Sequence, residues 1–374
     1  MKILRLLFLY VVLLSTVDAT AQNIVQKYLN HVFKDSSEPA KPKLIGYPTL
    51  AYAPETSWEL GVSALLVYRA KQDTLNRLSE VQSFSFVTLE RQYGSWLEHT
   101  LYTDENNYYF RGLWKFQNFP LSYHGIGMNT PSDKVALVSA NELRIRERFL
   151  RKIIPNLYTG PEIDLEILNR TSFEVYDSSS YTRPLGWQGS NNLGLGWGIV
   201  YDDLHNVLNP RHGHFGEMAL LSSRKLWGSA FDFNLYFLDF RFYRPVRKRN
   251  VIAIQAYSQF STGNVPFNEL ALMGGDRLMR GYYLGRYRDK NLSAAQVEYR
   301  MLPFSFAERW GAAFFASAGK VYPEFAVFGQ TPWTWSFGGG PRFLLFPKKD
   351  VYNRLDFAWT REGPGFYFFI GEAF

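Results

Sequence analysis

From Leu44 to the end of the chain, apolar and polar positions alternate with a period of two, in segments of roughly ten residues broken by turn formers. In 351–360, Val351, Asn353, Leu355, Phe357 and Trp359 share one face, and Arg354 and Asp356 share the other. In 292–301, Val297, Tyr299 and Met301 oppose Gln296, Glu298 and Arg300. In 251–260, Ile252, Ile254 and Phe260 oppose Gln255, Tyr257 and Gln259, and in 107–116 Tyr108, Phe110, Trp114 and Phe116 oppose Arg111 and Lys115. About sixteen such segments follow one another, so an antiparallel meander returns both chain ends to one side of the sheet. The longer connections, near 119–140, 168–187, 263–290 and 320–332, all fall on the opposite side. The near side has the short turns 103–106, 246–250 and 346–350, with 71–79 and 202–213 as longer exceptions.

Alternation of this kind also suits a soluble sandwich with one wet face. Three further observations favour a membrane barrel. Aromatic residues make up 17% of the chain, although the mean hydropathy of -0.21 is that of a soluble protein. Lipid-facing residues alternating with lumen-facing polar ones, plus aromatic girdles, produce both values together. Segments of about ten residues are long enough to cross a bilayer as tilted strands. Finally, Lys2 and Arg5 precede an apolar run, Leu6 to Leu14, and Ala19-Thr20-Ala21 offers a cleavage site before Gln22. That run is shorter than the roughly 20 residues a membrane-spanning helix needs, which disfavours a retained anchor. Gln22 in place of Cys argues against a lipoprotein. Within 22–43, Ile24, Val25, Tyr28, Leu29, Val32 and Phe33 form an apolar stripe at helical spacing, and a Pro- and Ser-containing linker follows. The expected organisation is a signal peptide over 1–21, a periplasmic amphipathic helix and linker over 22–43, and an all-β, sixteen-stranded antiparallel transmembrane barrel over 44–374. The expected location is the outer membrane of a Gram-negative bacterium.

The polar face is strongly charged. Glu142, Arg144, Arg146 and Arg148 share a face of one strand, and Glu162, Asp164 and Glu166 share a face of the next. On a lipid-facing surface each Arg would cost ~2–4 kcal/mol at mid-bilayer, so these residues point into the lumen, where neighbouring strands set opposite charges side by side. The formal charge is +7, or +6 after loss of Lys2, Arg5 and Asp18 with the signal. Because the cations are spread along strands and form no stripe, no nucleic-acid partner is expected. The chain has no cysteine. A Gly-x-Ser-x-Gly elbow is absent. The nearest approaches to a polar site are Glu98-His99, His212 with His214, and Asp202-Asp203 beside Asn206, which lacks EF-hand spacing. Pairs like these are more often structural, so no enzyme activity, cofactor or metal is expected.

Residues 265–283 are more distinctive. Gly274-Gly275 permits a sharp reversal, and Arg280-Gly281-Tyr282 follows as a cation, a flexible point and an aromatic. Together with YDDLHNVLNPRHGHFGEM at 201–218, NLSAAQVEYR at 291–300 and the aromatic tail, this ordered set resembles the bacterial surface antigen barrel of the BamA/TamA outer-membrane assembly and two-partner secretion superfamily, over residues 44–374. The resemblance implies a sixth outer loop folded back into the lumen. Arg280 would stand at its tip and Glu298 would be the wall carboxylate that holds it. The family usually offers a second acid where this chain has Ser317, so the resemblance leaves Arg280 with one charged partner, and Ser317→Asp would tighten the loop. It further implies that Phe366, Phe368, Ile370 and Phe374 belong to a C-terminal strand recognised by assembly machinery. Residues 22–43 are too few for the periplasmic POTRA domains that handle clients in relatives. The implied function is an accessory in outer-membrane protein or lipid assembly or translocation, working through a weak seam between the first and last strands. Pro48, lacking an amide donor, lies near the start of that first strand. The implied partners are outer-membrane lipid, assembly machinery and a protein or lipid client. The rival readings are a porin-like channel and a structural or surface-interaction barrel.

The N-terminal stripe yields a first prediction. A helix of about a dozen residues is marginal in water, so its apolar face must be covered, and the barrel mouth is the favoured cover. Deleting residues 23–35 should then raise antibiotic entry or conductance. Unaltered permeability, with the truncated barrel at normal levels, would leave lipid or a partner chain as the cover.

Overall fold

The computed structural model describes residues 41–374, apart from 54–56, 207 and 348–349. The signal peptide and the amphipathic helix fall outside the described residues. Sixteen long strands account for the sixteen alternating segments. They are β1 (Lys43–Ala53), β2 (Ser57–Arg69), β3 (Leu78–Thr88), β4 (Tyr93–Tyr102), β5 (Tyr108–Asn118) and β6 (Ala136–Ile154). There follow β7 (Leu157–Val175), β8 (Ser190–Asp202), β9 (Gly213–Ser223), β10 (Phe233–Arg247) and β11 (Asn250–Gly263). The last five are β12 (Asn291–Met301), β13 (Trp310–Tyr322), β14 (Thr334–Phe346), β15 (Val351–Thr360) and β16 (Gly363–Ile370). Each pairs antiparallel with its sequence neighbour, from β1–β2 through to β15–β16. A three-residue strand, Leu121–Tyr123, adds to the outer end of β6.

Among the described residues no ladder joins β1 to β16. The two edges meet instead through side chains at the inner end, where Tyr47 of β1 and Ile370 of β16 pack on one apolar cluster containing Ile45, Leu65, Val67 and Val351. Contacts between the inward faces of distant strands show how far the sheet curls. Tyr102 of β4 donates to Asp202 of β8 at 2.6 Å, and Arg111 of β5 pairs with Glu217 of β9. The outward face carries Trp58, Leu60, Trp114, Trp197, Ile199, Phe314, Phe357 and Trp359, all exposed, while the opposite face buries arginines and carboxylates.

The charged rows of β6 and β7 come into register as the alternation predicts, with Arg144 opposite Glu166, Arg146 opposite Asp164 and Arg148 opposite Glu162. Arg144 Nη2 lies 2.6 Å from Asp164 Oδ2, and Arg146 Nε donates to the same oxygen at 2.8 Å. Arg148 Nη2 lies 2.8 Å from Glu162 Oε2 and its Nη1 lies 2.8 Å from Glu217 Oε1, which ties β6 to β9 as well as to β7. Asp164 is therefore a carboxylate shared by two arginines.

The tail of the chain departs from a simple strand. Phe366 and Phe368 point outward and are 73% and 61% exposed, while Ile370 is half-buried. β16 ends there, Gly371 takes a left-handed φ of 86°, and Phe374 turns inward to join Tyr102, Tyr109, Tyr158, Phe215 and Tyr243 in a buried aromatic floor. Phe374 thus does not stand in a row with Phe366, Phe368 and Ile370.

Removing the carboxylate shared on β6–β7, by Asp164→Ala, leaves Arg144 and Arg146 without their common partner. Loss of one member of a buried pair typically costs ~3–5 kcal/mol, and Glu166, Glu162 and Glu269 nearby hold the loss toward the lower figure. Urea unfolding of the lipid-reconstituted barrel should show that drop, and Glu174→Ala at the exposed end of β7 should not.

Candidate functional site: the lumen loop and its ion network

The connection between β11 and β12, residues 264–290, is the longest on the outer side. A short hairpin, Ala271–Met273 with Tyr287–Asp289, holds its two arms together. Gly274 and Gly275 take φ values of 119° and 106°, and a Cβ on Gly274 would overlap the Tyr283 carbonyl. The Gly275 amide donates to the Tyr282 carbonyl at 2.9 Å, which closes the neck of the tip. Only glycine permits this approach of the two arms. Arg280 stands between two left-handed residues, Met279 (φ 55°) and Gly281 (φ 105°), a costly backbone for Met279 that the surrounding packing holds in place.

Arg280 is fully buried. Its Nη2 donates to Glu298 Oε2 of β12 at 2.6 Å and its Nη1 to Asp356 Oδ2 of β15 at 2.6 Å. The guanidinium lies over the Phe315 ring of β13, with Cζ 3.5 Å from the centroid. Its neighbours in the loop are anchored too. The Gly281 amide donates to the Tyr367 hydroxyl of β16 at 2.9 Å, and that hydroxyl donates to the Tyr282 carbonyl at 3.3 Å. The Tyr282 hydroxyl lies 2.5 Å from Thr334 Oγ1 and donates to the Trp335 carbonyl.

Around this contact a balanced set of charges is buried. Arg300 Nε donates to Glu298 Oε1 at 2.7 Å, and Arg342 Nη1 to Asp356 Oδ1 at 2.7 Å. Arg354 bridges Asp356 Oδ2 at 2.8 Å and Asp276 Oδ2, on the loop itself, at 3.0 Å. Arg342 Nε also reaches Glu372 of the tail at 3.0 Å. Four arginines thus meet four carboxylates drawn from the loop, β12, β14, β15 and the tail. Buried charges persist only when paired in this way. The arrangement offers no nucleophile beside a base. Chemically it holds a loop.

The structure brings together Arg280, Gly281, Tyr282 and Glu298 as the resemblance implied, and corrects the expectation of a single charged partner. The second acid is Asp356, two strands beyond the position of Ser317. Ser317 does face inward, on the same side of β13 as Phe315, but its Oγ has no hydrogen-bond partner among the described residues. Alternation had already placed Asp356 and Arg354 on the inward face. The rung of the wall that the loop tip reaches depends on sheet curvature, which leaves no local trace in the sequence. Tyr367 and Glu372 escaped for the same reason. The polar pairs noted along the chain are split among other partners: Glu98 with Arg277 at 2.9 Å, His99 with Glu147 at 3.2 Å and His214 with Asp203 at 3.2 Å, while His212 stacks on His205.

A sheet curled round a charged lumen, with its sixth outer loop locked inside by an arginine, defines a class of outer-membrane-type barrel. The Omp85 superfamily domain matches residues 166–374, more than half of the chain and including Arg280, Glu298 and Asp356, so the chain belongs to the Omp85 superfamily. Among solved structures it is similar to BamA from Haemophilus ducreyi lacking POTRA domains 1-3, with a TM-score of 0.53 and 14% identity, covering 88% of this chain and 69% of that one. It is similar to CdiB from Escherichia coli, with a TM-score of 0.57 and 12% identity over 89% of this chain and 62% of that one. The match to CdiB from Acinetobacter baumannii has a TM-score of 0.55 and 10% identity over 88% of this chain. The chain therefore spans less than two thirds of the length of the CdiB chains, 62% and 59%. At these identities the likeness is one of fold. No curated protein matches the sequence.

Because Asp356 serves three arginines, Asp356→Ala should release the loop, making residues 264–290 cleavable by protease from the outer side and lowering stability by roughly 3–5 kcal/mol. Ser317→Ala should leave both properties unchanged. Equal protection of the loop in the two variants would show that Asp356 does not hold it.

Proposed function

We propose that this chain is an outer-membrane barrel that assists the assembly or translocation of protein or lipid, through the seam between β1 and β16, without enzymatic chemistry of its own. The observation that carries the reading is the one-sided bonding of β16. This strand of eight residues has a ladder with β15 and, among the described residues, none with β1. On its lumen side it is held by the loop: Tyr367 on the Arg280 tip, and Glu362, in the preceding turn, accepting from Arg286 Nε at 2.7 Å and from the Tyr287 hydroxyl at 2.8 Å. A strand edge facing hydrocarbon leaves backbone donors and acceptors unsatisfied at a cost of several kcal/mol each. An incoming strand that pairs with that edge removes the cost, which favours a protein client over a passive wall. Pro48 removes one donor from β1, so the opposing edge is the weaker competitor for β16. The BamA/TamA resemblance supports the same class of activity, and a loop packed into the lumen speaks against an open solute pore.

A reversible staple tests this. Tyr47 and Ile370 share one apolar cluster at the inner end of the seam. A barrel carrying Tyr47→Cys with Ile370→Cys should reach the outer membrane normally. It should fail to support assembly of other outer-membrane components when oxidised and recover on reduction. Full activity of the oxidised barrel would exclude an opening seam, and a steady large single-channel conductance of the native chain would favour the pore.

A further inference from the structure

An apolar groove on the outward face of β13–β15 runs down to a basic rim at the inner end. Along its floor Ala312 stands opposite Pro341, and Gly339 stands between Phe314 and Phe357 on the two neighbouring strands. The small floor residues keep it low, while the exposed rings of Phe314 and Phe357 flank it. Phe337 and Trp359 stack at 6.3 Å at its outer end, and Phe304 and Phe306, of the β12–β13 turn, stack at 5.0 Å at its inner end. The groove encloses about 820 Å³, and every residue lining it is apolar. From Trp310, opposite Phe343, up to Phe337 is six residues of β14. That is ~20 Å along a strand tilted by about 45°, or ~14 Å of depth, close to one leaflet of a ~30 Å hydrocarbon core.

The rim has the opposite character. Arg249, in the β10–β11 turn, donates from Nη1 to the Phe304 carbonyl at 2.8 Å, which sets a guanidinium at the inner mouth of the groove. That bond uses one of its five N–H donors. Arg244, Arg247 and Lys248 beside it are exposed and have no ion pair among the described residues. Over residues 244–250 and 302–309 five cations face a single acid, Glu308. The acids of the adjoining inner turns are engaged elsewhere, Asp350 with Arg211 and Asp203 with His214. The inner turns of β2–β5 are balanced instead, with Lys71 against Asp104 and Arg77 against Asp202. A solvated basic turn would account for the cations alone, and loose lipid for the groove alone. Joined at Phe304, the two match the halves of one amphiphile.

We propose that groove and rim together form a site for one phospholipid of the inner leaflet with an anionic headgroup. Its phosphate meets Arg249 with Arg247 and Lys248, and one acyl chain lies along Ala312, Gly339 and Pro341. Basic side chains at the membrane surface attract anionic lipid, and a zwitterionic lipid, which brings its own cation, gains less at such a rim. Aromatic rings at the headgroup level, here Phe304, Phe306 and Trp310, hold the glycerol end of the chain in place. Such a site presupposes the outer-membrane reading and is independent of an opening seam.

Native mass spectrometry reads this on the folded barrel, extracted from outer membranes and mixed with equal amounts of phosphatidylglycerol and phosphatidylethanolamine. One phosphatidylglycerol per barrel should be retained, several-fold above phosphatidylethanolamine. Arg247→Ser with Lys248→Ser and Arg249→Ser should abolish that preference. Ala312→Trp, which fills the floor and leaves the cations intact, should lower occupancy several-fold. If it fails to fold, as judged by heat-modifiable mobility, Phe306→Ser takes its place by opening the inner end, with the same loss expected. Arg151→Ser, which removes an exposed cation at the inner end of β6, should change nothing. The proposal is overturned if the two lipids are retained equally, or if the triple serine variant keeps the preference. It is also overturned if filling or opening the groove leaves the lipid bound, which marks adsorption to a basic surface, or if Arg151→Ser lowers occupancy as much. Occupancy is read without any seam activity, so an inert seam leaves the site standing, whereas a chain absent from the outer membrane contradicts the location itself.

Discussion

Charge that leaves water must be neutralised in place, and this barrel is organised round that demand. The wall of β12–β15 carries Arg300, Arg342 and Arg354 on its inward side against Glu298 and Asp356, three cations to two anions. The loop brings one of each, Arg280 and Asp276, and the tail brings Glu372, which makes the balance even. None of these segments is electrically complete alone. Loop, wall and tail each supply charges that the others lack.

The same constraint shapes the opposite wall by different means. On β6 and β7 most of the neutralisation is between adjacent strands, and the loop adds Glu269 against Arg144 at 3.0 Å and Asn268 against Glu166 at 2.6 Å. The half bearing the seam draws more of its charge balance from inserted segments, Arg280 and Asp276 of the loop and Glu372 of the tail. The long strands β6 and β7, at nineteen residues each, extend well beyond the eight of β16, which places the greater length of hydrogen-bonded sheet away from the seam.

Much of this was legible in the chain itself, because side-chain direction in a strand is a strictly local property. Alternation located sixteen strands and assigned Glu298, Arg300, Arg354 and Asp356 to the lumen, and it set the arginines of β6 opposite the acids of β7. Contacts that depend on curvature were not legible. Asp356 meets Arg280 across 76 positions of chain, and Tyr367 reaches Gly281 across 86. Ser317, which the resemblance singled out, occupies the inward face expected of a partner yet bonds to nothing among the described residues, because the acid it would have replaced is supplied from another strand. The inward turn at Gly371, which removes Phe374 from the outward aromatic row, follows from a single left-handed residue that an apolar pattern does not reveal.

The two acids that hold Arg280 lie at very different distances along the chain. Glu298 is only 18 residues from Arg280, whereas Asp356 is 76 residues away. Closing the shorter chain loop sacrifices less entropy, and contacts near in sequence form sooner. The Arg280–Glu298 contact thus closes the shorter chain loop and costs less entropy than the Arg280–Asp356 contact. One guanidinium thereby joins a near and a far stretch of chain, and the larger entropic cost lies in the link to β15.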